Sequence, residues 1–163
     1  MHSLVRRYIK TAISFLVVGL LIGGWMIAQR ELQQEYPGPY AIGAHTHAIL
    51  VGFVMMMILG VALWLFPRPE KSDPRYRPAL AELAYWLITL GTATRILGEL
   101  LRPLTASSWL RWLIALSGFA QIIALVVFFY TMWSRIRGIG SQVREAKGER
   151  SSLGYSVFTP GTE

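Results

Sequence analysis

The sequence GAHTHAILVGFVMMMILGVALWLFPR occupies residues 43–68 and has two histidines near its start. Because a transmembrane helix needs about 20 consecutive, mostly apolar residues, this stretch predicts a membrane-spanning helix over roughly residues 42–66. An ionisable side chain inside hydrocarbon is costly and normally faces a protein interior, a cavity or a ligand. His45 and His47 are therefore the leading candidates for a functional site.

The composition is that of a small integral membrane protein with one domain. The 163 residues are 53% hydrophobic and have a mean hydropathy of +0.43, which is too apolar for a soluble domain of this size. Cysteine is absent, which excludes intramolecular disulfides, thiolate metal sites and iron-sulfur clusters. The basic residues behind the net charge of +7 lie between and beyond the apolar runs, so the lipid bilayer is the expected partner and nucleic acid is not.

Four apolar runs predict an all-α fold, an integral membrane four-helix bundle. Besides the run at residues 42–66, the others cover about residues 11–28, 79–101 and 109–133. Three glycines in the first run, Gly19, Gly23 and Gly24, allow close contact between helices.

Basic residues predict the orientation of these helices. The strongly basic segments are residues 1–10, residues 68–78 and the tail from Ser134 onward, and all three fall on one side of a four-span arrangement. Since Lys and Arg concentrate in cytoplasmic loops, both termini are expected to be cytoplasmic, in a multi-pass protein of the bacterial inner membrane. The predicted domains are a transmembrane domain over residues 1–137 and a largely disordered cytoplasmic tail over residues 138–163.

The two histidines point to different sides of the predicted second helix. Successive residues of an α-helix turn by about 100°, so His45 and His47 should lie about 200° apart and cannot both bind one metal ion from one helix. The side with His45 also has Gly52 and Met56, and a glycine lets a flat or bulky group approach the backbone. The side with His47 has branched residues typical of a surface against lipid or a neighbouring subunit. His45 is therefore the first candidate for an internal ligand.

A polar stripe on the third predicted helix lies at about the same depth as the histidines. It includes Arg95, Glu99 and Arg102. One interpretation is an internal ion pair between Arg95 and Glu99, which neutralises two costly charges. The other is that Arg95 and Arg102 bind anionic groups of a cofactor, while Glu99 accepts a hydrogen bond from an imidazole. Both interpretations can hold at once.

The run that starts at His45 resembles the second transmembrane helix of the catalytic subunit I of haem-copper oxidases, especially the C-type oxidase and nitric-oxide reductase branch. In that helix a His-Thr pair begins an apolar run that closes with an arginine, as His45, Thr46 and Arg68 do here, and the histidine is an axial ligand of the low-spin haem b. The resemblance implies that His45 is a haem ligand, whereas His47 falls where the family has a variable residue. It is limited to the first two helices, about residues 1–68, and does not imply reduction of oxygen or nitric oxide at a haem-copper centre.

These observations predict a membrane b-type haem protein for electron transfer or for binding a diatomic gas, O2 or NO. A homodimer is expected, because a second copy can supply the missing axial ligand, and a redox protein or quinone is a candidate partner. Whether the protein also catalyses a reaction stays open. The alternatives are a cofactor-free accessory or assembly subunit, and a protein that binds copper or another metal through both imidazoles across subunits.

The predicted site can be stated residue by residue. The metal ligands are His45 and His47. The cofactor-binding residues are His45, His47, Gly52, Met56, Arg95, Glu99 and Arg102, with the two arginines next to the haem propionates. His2 lies near the other side of the membrane in this arrangement and is not expected to join the site.

Overall fold

Helices make up all the regular secondary structure of the described residues. The computed structural model describes residues 3–66, 77–105 and 107–136. Its long helices are α1, Ser3–Leu32; α2, Pro39–Leu65; α3, Pro78–Leu101; and α4, Ser108–Met132. A 3-10 turn, Trp133–Arg135, follows α4. The predicted all-α class is confirmed for this part of the chain.

Prolines mark the starts of α2 and α3. Pro39 and Pro78 lie at the beginning of their helices, where the fixed φ of proline suits the helix and its missing N–H costs nothing. The connection from α1 to α2 turns at Gln34, whose φ is 55°, and ends at Gly38, the extended N-cap of α2. Both α2 and α3 therefore begin where the local sequence favours a start.

Three of these helices, α1, α2 and α4, are long and apolar enough to cross a membrane. The 24 residues of α3 include Glu82, Arg95 and Glu99, which lower its hydropathy. Among the described residues, α3 is therefore not one of the helices that are long and apolar enough to cross a membrane. The helices therefore indicate a multi-pass membrane protein. A membrane-spanning α3, a closed four-helix bundle and cytoplasmic termini stay predictions.

Helices that follow one another in the chain pack side by side and antiparallel. Along α2, Ile49 lies near Gly19 of α1, whereas Gly60 lies near Tyr8, so α2 runs back along α1. Helix α3 packs on α2 and also on α4, with which it shares its most extensive interface. This middle position explains why buried residues occur along nearly the whole of α3.

An aromatic cluster joins three helices near the beginning of α1. Tyr8 is fully buried, and its ring meets those of Tyr85 on α3 and Phe128 on α4 at centroid separations of 5.0 and 6.1 Å. Both pairs are edge-to-face, an arrangement that aromatic rings favour. At the same end, Arg135 donates a hydrogen bond of 3.0 Å to the backbone oxygen of Phe66, just after α2. All four helices are thus linked at this end.

Several predicted features lie outside the described residues. They are His2, most of the basic loop at residues 68–78, and the tail at residues 138–163. The division into a transmembrane domain at residues 1–137 and a cytoplasmic tail therefore stays a prediction.

Candidate functional site

His45 lies between α2 and α1 and is partly buried. Its Nδ1 is 2.9 Å from the backbone oxygen of Gly19. A carbonyl oxygen can only accept a hydrogen bond, so Nδ1 carries the proton and donates it. In the neutral imidazole Nε2 then keeps its lone pair, which is the state in which a histidine binds a metal. The contact with α1 therefore fixes the tautomer of a neutral His45, with the lone pair on Nε2.

His47 lies on another side of α2, against α3. Its Nδ1 is 2.8 Å from the backbone oxygen of Gly43 and 3.2 Å from Oε2 of Glu99. Both oxygens accept, so Nδ1 carries a proton and donates it. The structure thus differs from the expectation that His47 faces lipid or a neighbouring subunit, because its ring bonds to α3 of the same chain.

A π-helical segment, His47–Met55, interrupts the α-helical geometry of α2. Such segments are rare and are often found at functional sites. Hydrogen bonds that reach five residues along the chain, instead of four, give a wider helix with a smaller turn per residue. Side chains after His47 therefore depart from the faces that a regular α-helix predicts.

Gly52 and Met56, predicted to lie on the side of His45, both face the interior. A Cβ on Gly52 would lie 2.6 Å from Cγ of Phe15 on α1, so the flat group that approaches this glycine is the ring of Phe15. Met56 is fully buried in the hydrophobic core. These contacts do not test whether either residue binds a cofactor, and that role stays a prediction.

Glu99 connects His47 to Arg95. Its Oε1 accepts a hydrogen bond of 3.1 Å from Nε of Arg95, while its Oε2 accepts from His47. The Glu99 side chain is 6% exposed and that of Arg95 is 25% exposed, so the carboxylate is neutralised where water is scarce. The predicted ion pair between Arg95 and Glu99 is confirmed. The prediction that Glu99 lies at the same level as His47 is also confirmed.

Glycines on the neighbouring helices make room for this ion pair. A Cβ on Gly43 of α2 would lie 3.1 Å from Oε2 of Glu99 and 3.2 Å from its Oε1. On the other side, a Cβ on Gly118 of α4 would collide with Nη1 of Arg95. The pair therefore reaches from α2 to α4 across α3, and sequence reasoning did not anticipate either glycine.

Arg102 lies at the end of α3, next to the turn into α4. Its Nη1 donates a hydrogen bond of 2.9 Å to the backbone oxygen of Thr105, and its guanidinium lies 6.0 Å from the centroid of the Tyr40 ring on α2. Its Nε is buried and has no hydrogen-bond partner among the described residues. The guanidinium of Arg102 thus offers an unused donor on the same side of the protein as the histidines.

Sequence reasoning missed the part that α1 plays at His45. Gly19 supplies the acceptor for Nδ1, and a Cβ on Gly23 would lie 2.8 Å from Cε1 of the ring. Both glycines are confirmed as points of close helix contact, whereas Gly24 has nothing within 4 Å. The available signal was the four-residue spacing of Gly19 and Gly23, which puts both on one face of α1.

The described residues do not contain a preformed cluster of three or more His, Asp, Glu or Cys side chains that could hold a metal ion. His45 and His47 bond to different helices, α1 and α3. This arrangement agrees with the predicted separation of the two imidazoles around α2.

Comparison with protein-family models matches most of the chain to one family. The family model described as Cytochrome C and Quinol oxidase polypeptide I matches residues 3–149. The match runs through α3 and α4, beyond the first two helices to which the sequence resemblance was limited. Searches of curated proteins and of solved structures gave no match. The chain therefore belongs to the subunit I family of haem-copper oxidases.

Proposed function

We propose that this chain is a b-type haem protein of the membrane that transfers electrons or binds a diatomic gas, O2 or NO. The observation that carries the proposal is the hydrogen bond of 2.9 Å between Nδ1 of His45 and the backbone oxygen of Gly19, which in the neutral imidazole puts the lone pair on Nε2. Membership of the haem-copper oxidase subunit I family supports it, because members of that family bind haem. The pair His45 and Thr46 supports assignment to the C-type oxidase and nitric-oxide reductase branch.

In this proposal His45 is the axial ligand and His47 is the second candidate. Histidines that bind metals commonly donate their other ring N–H to a carbonyl or a carboxylate. Nδ1 of His45 does so to Gly19, and Nδ1 of His47 does so to Gly43 and Glu99. Haem supplies a one-electron couple and, where one axial position stays open, a place for a diatomic gas.

Arg95 and Arg102 are proposed to bind the haem propionates. A guanidinium suits this task because its planar fork donates several N–H groups to a carboxylate. The buried Nε of Arg102, which has no partner among the described residues, supports a role in binding an anion. Arg95 already gives its Nε to Glu99, so its terminal nitrogens would be the ones to reach a propionate.

A homodimer is proposed as the source of a second axial ligand. The described residues include two histidines, His45 and His47, and these bond to different helices. A symmetric dimer brings equivalent surfaces together, so a second copy can offer the same imidazole to the iron. We also propose the bacterial inner membrane as the location and a redox protein or quinone as the electron partner.

An absorption spectrum of the protein purified in detergent tests this function directly. Bound haem gives a Soret band, and the substitution His45→Ala is expected to remove it. His2→Ala is the matched control and is expected to keep the full pigment. An unchanged reduced-minus-oxidised spectrum in His45→Ala would refute this ligand, and loss of pigment only in His47→Ala would assign it to His47. A colourless wild-type protein after growth with ample haem would refute the haem function itself.

A cofactor-free accessory or assembly subunit is the second candidate, and one observation favours it. Both imidazoles already bridge helices, His45 to α1 and His47 to α3. If bridging is their whole role, the wild-type protein is colourless and both alanine variants lose only thermal stability. Metal analysis of the purified protein tests the remaining alternative, in which both imidazoles bind copper or another metal across subunits.

A further inference from the structure

The imidazole of His45 rests directly on the backbone of α1 at Gly23. A Cβ built on Gly23 would lie 2.8 Å from Cε1, 3.2 Å from Nδ1 and 3.7 Å from Nε2 of the ring. A real Cβ does not approach another heavy atom as closely as 2.8 Å, so the ring could not keep its place beside alanine. Moving the ring would also disturb the hydrogen bond from Nδ1 to the backbone oxygen of Gly19.

The neighbouring glycines of α1 do not have this relation to His45. A Cβ on Gly19 would lie 2.5 Å from Cδ1 and 2.9 Å from Cγ1 of Ile49 and 3.3 Å from Cβ of Ala48, so its three nearest contacts do not include His45. Gly24, the next residue after Gly23, has nothing within 4 Å. Among the glycines of α1, Gly23 is thus the one at which a side chain would crowd the imidazole of His45.

We propose that Gly23 is a positioning residue for His45, holding the imidazole in the orientation that donates Nδ1–H to α1 and leaves Nε2 for haem iron. This inference rests on the proposed haem function. A group that orients a metal ligand typically changes metal affinity by about 10- to 100-fold when it is altered. The three atoms nearest to the added methyl group all belong to the His45 ring, so Gly23 would act through His45.

The first test compares Gly23→Ala with Gly24→Ala in haem titrations of the purified protein. Alanine is the better helix former at both positions, so helix propensity affects the two variants alike. We expect Gly23→Ala to bind haem at least about tenfold more weakly and Gly24→Ala to bind within about twofold of wild type. Equal affinities for wild type and Gly23→Ala would overturn the proposal.

The second test needs no haem. In nitrogen-15 spectra of histidine-labelled, haem-free protein, His45 is expected to be protonated at Nδ1 in wild type and in Gly24→Ala, and to show a mixture of tautomers in Gly23→Ala. The thermal midpoint of Gly23→Ala should be lower than that of wild type. The double variant of Gly23→Ala with His45→Ala should have the same midpoint as His45→Ala alone, because the effects of coupled residues are not additive.

The two tests separate the positioning role from the haem function. A wild-type protein that binds no haem overturns the proposed function, and the tautomer of His45 then decides the role of Gly23. An unchanged tautomer in Gly23→Ala, or an additive loss of stability in the double variant, overturns the positioning role whether or not haem binds.

Discussion

Replacing Glu99 with glutamine should destabilise the protein far more than the same change at Glu82. Both carboxylates pair with an arginine, Glu99 with Arg95 at 3.1 Å and Glu82 with Arg7 at 2.7 Å. The two pairs differ in exposure: Glu99 is 6% exposed, whereas Arg7 and Glu82 are 43% and 49% exposed. Glu82→Gln is therefore a matched control for the same chemical change.

The expected loss of stability follows from the hydrogen bonds that Glu99 accepts. Its carboxylate accepts from Arg95 and from His47, and each hydrogen bond to a charged group contributes about 1.5–3 kcal/mol. Removing one partner of a fully buried ion pair costs about 3–5 kcal/mol, which is reduced here because Arg95 is 25% exposed. We expect Glu99→Gln to lower the free energy of unfolding by about 2–4 kcal/mol and Glu82→Gln by about 0–1 kcal/mol.

Reversible unfolding in mixed detergent micelles, followed by far-ultraviolet circular dichroism, measures both values. The double variant with Arg95→Met and Glu99→Gln should be more stable than Glu99→Gln alone, because it no longer leaves the guanidinium unpaired. If Glu99→Gln loses no more stability than Glu82→Gln, burial of the Glu99 carboxylate does not strengthen its hydrogen bonds, and it does not stabilise the contacts between α2 and α3.

Two further predictions use the same unfolding measurement. Gly43→Ala should lower stability, since its Cβ would lie 3.1–3.2 Å from the Glu99 carboxylate. Gly38→Ala, whose Cβ would have nothing within 4 Å, should have a smaller effect. Equal effects of the two substitutions would contradict the crowding at Glu99. Gln121→Leu removes the buried hydrogen bond of 3.1 Å to Thr92 between α4 and α3. It should cost about 0.6 kcal/mol and at most about 1.7 kcal/mol, the average and the maximum found for such bonds inside membranes; a fully stable variant would show that this bond contributes nothing.

The positions of the helices could be predicted because their signals are local. The predicted runs at residues 79–101 and 109–133 correspond closely to α3, Pro78–Leu101, and α4, Ser108–Met132. The first helix was expected from residue 11 but begins at Ser3. Hydropathy marks the apolar part of a helix, and basic side chains can extend towards water from a helix that continues past it.

The site could be predicted only as far as its contacts are local. The pair of Arg95 and Glu99 followed from a spacing of four residues on one helix. The partner of His47 did not, because it depends on where α3 crosses α2 at Gly43 and on a π-helical segment for which the sequence has no comparable signal. The contact between His45 and Gly19 likewise joins residues on two helices and needs the packed structure.

The two imidazoles of α2 differ in the charge of the groups to which they donate, and this difference affects how the two alanine variants compare. Nδ1 of His45 donates to a neutral backbone oxygen of Gly19. Nδ1 of His47 donates to Glu99, which also accepts a hydrogen bond from Arg95. His47→Ala would therefore remove one of the two hydrogen bonds to the Glu99 carboxylate and weaken the link between α2 and α3. His45→Ala would leave that link intact, so a loss of pigment in His45→Ala could not be attributed to a disturbed ion pair.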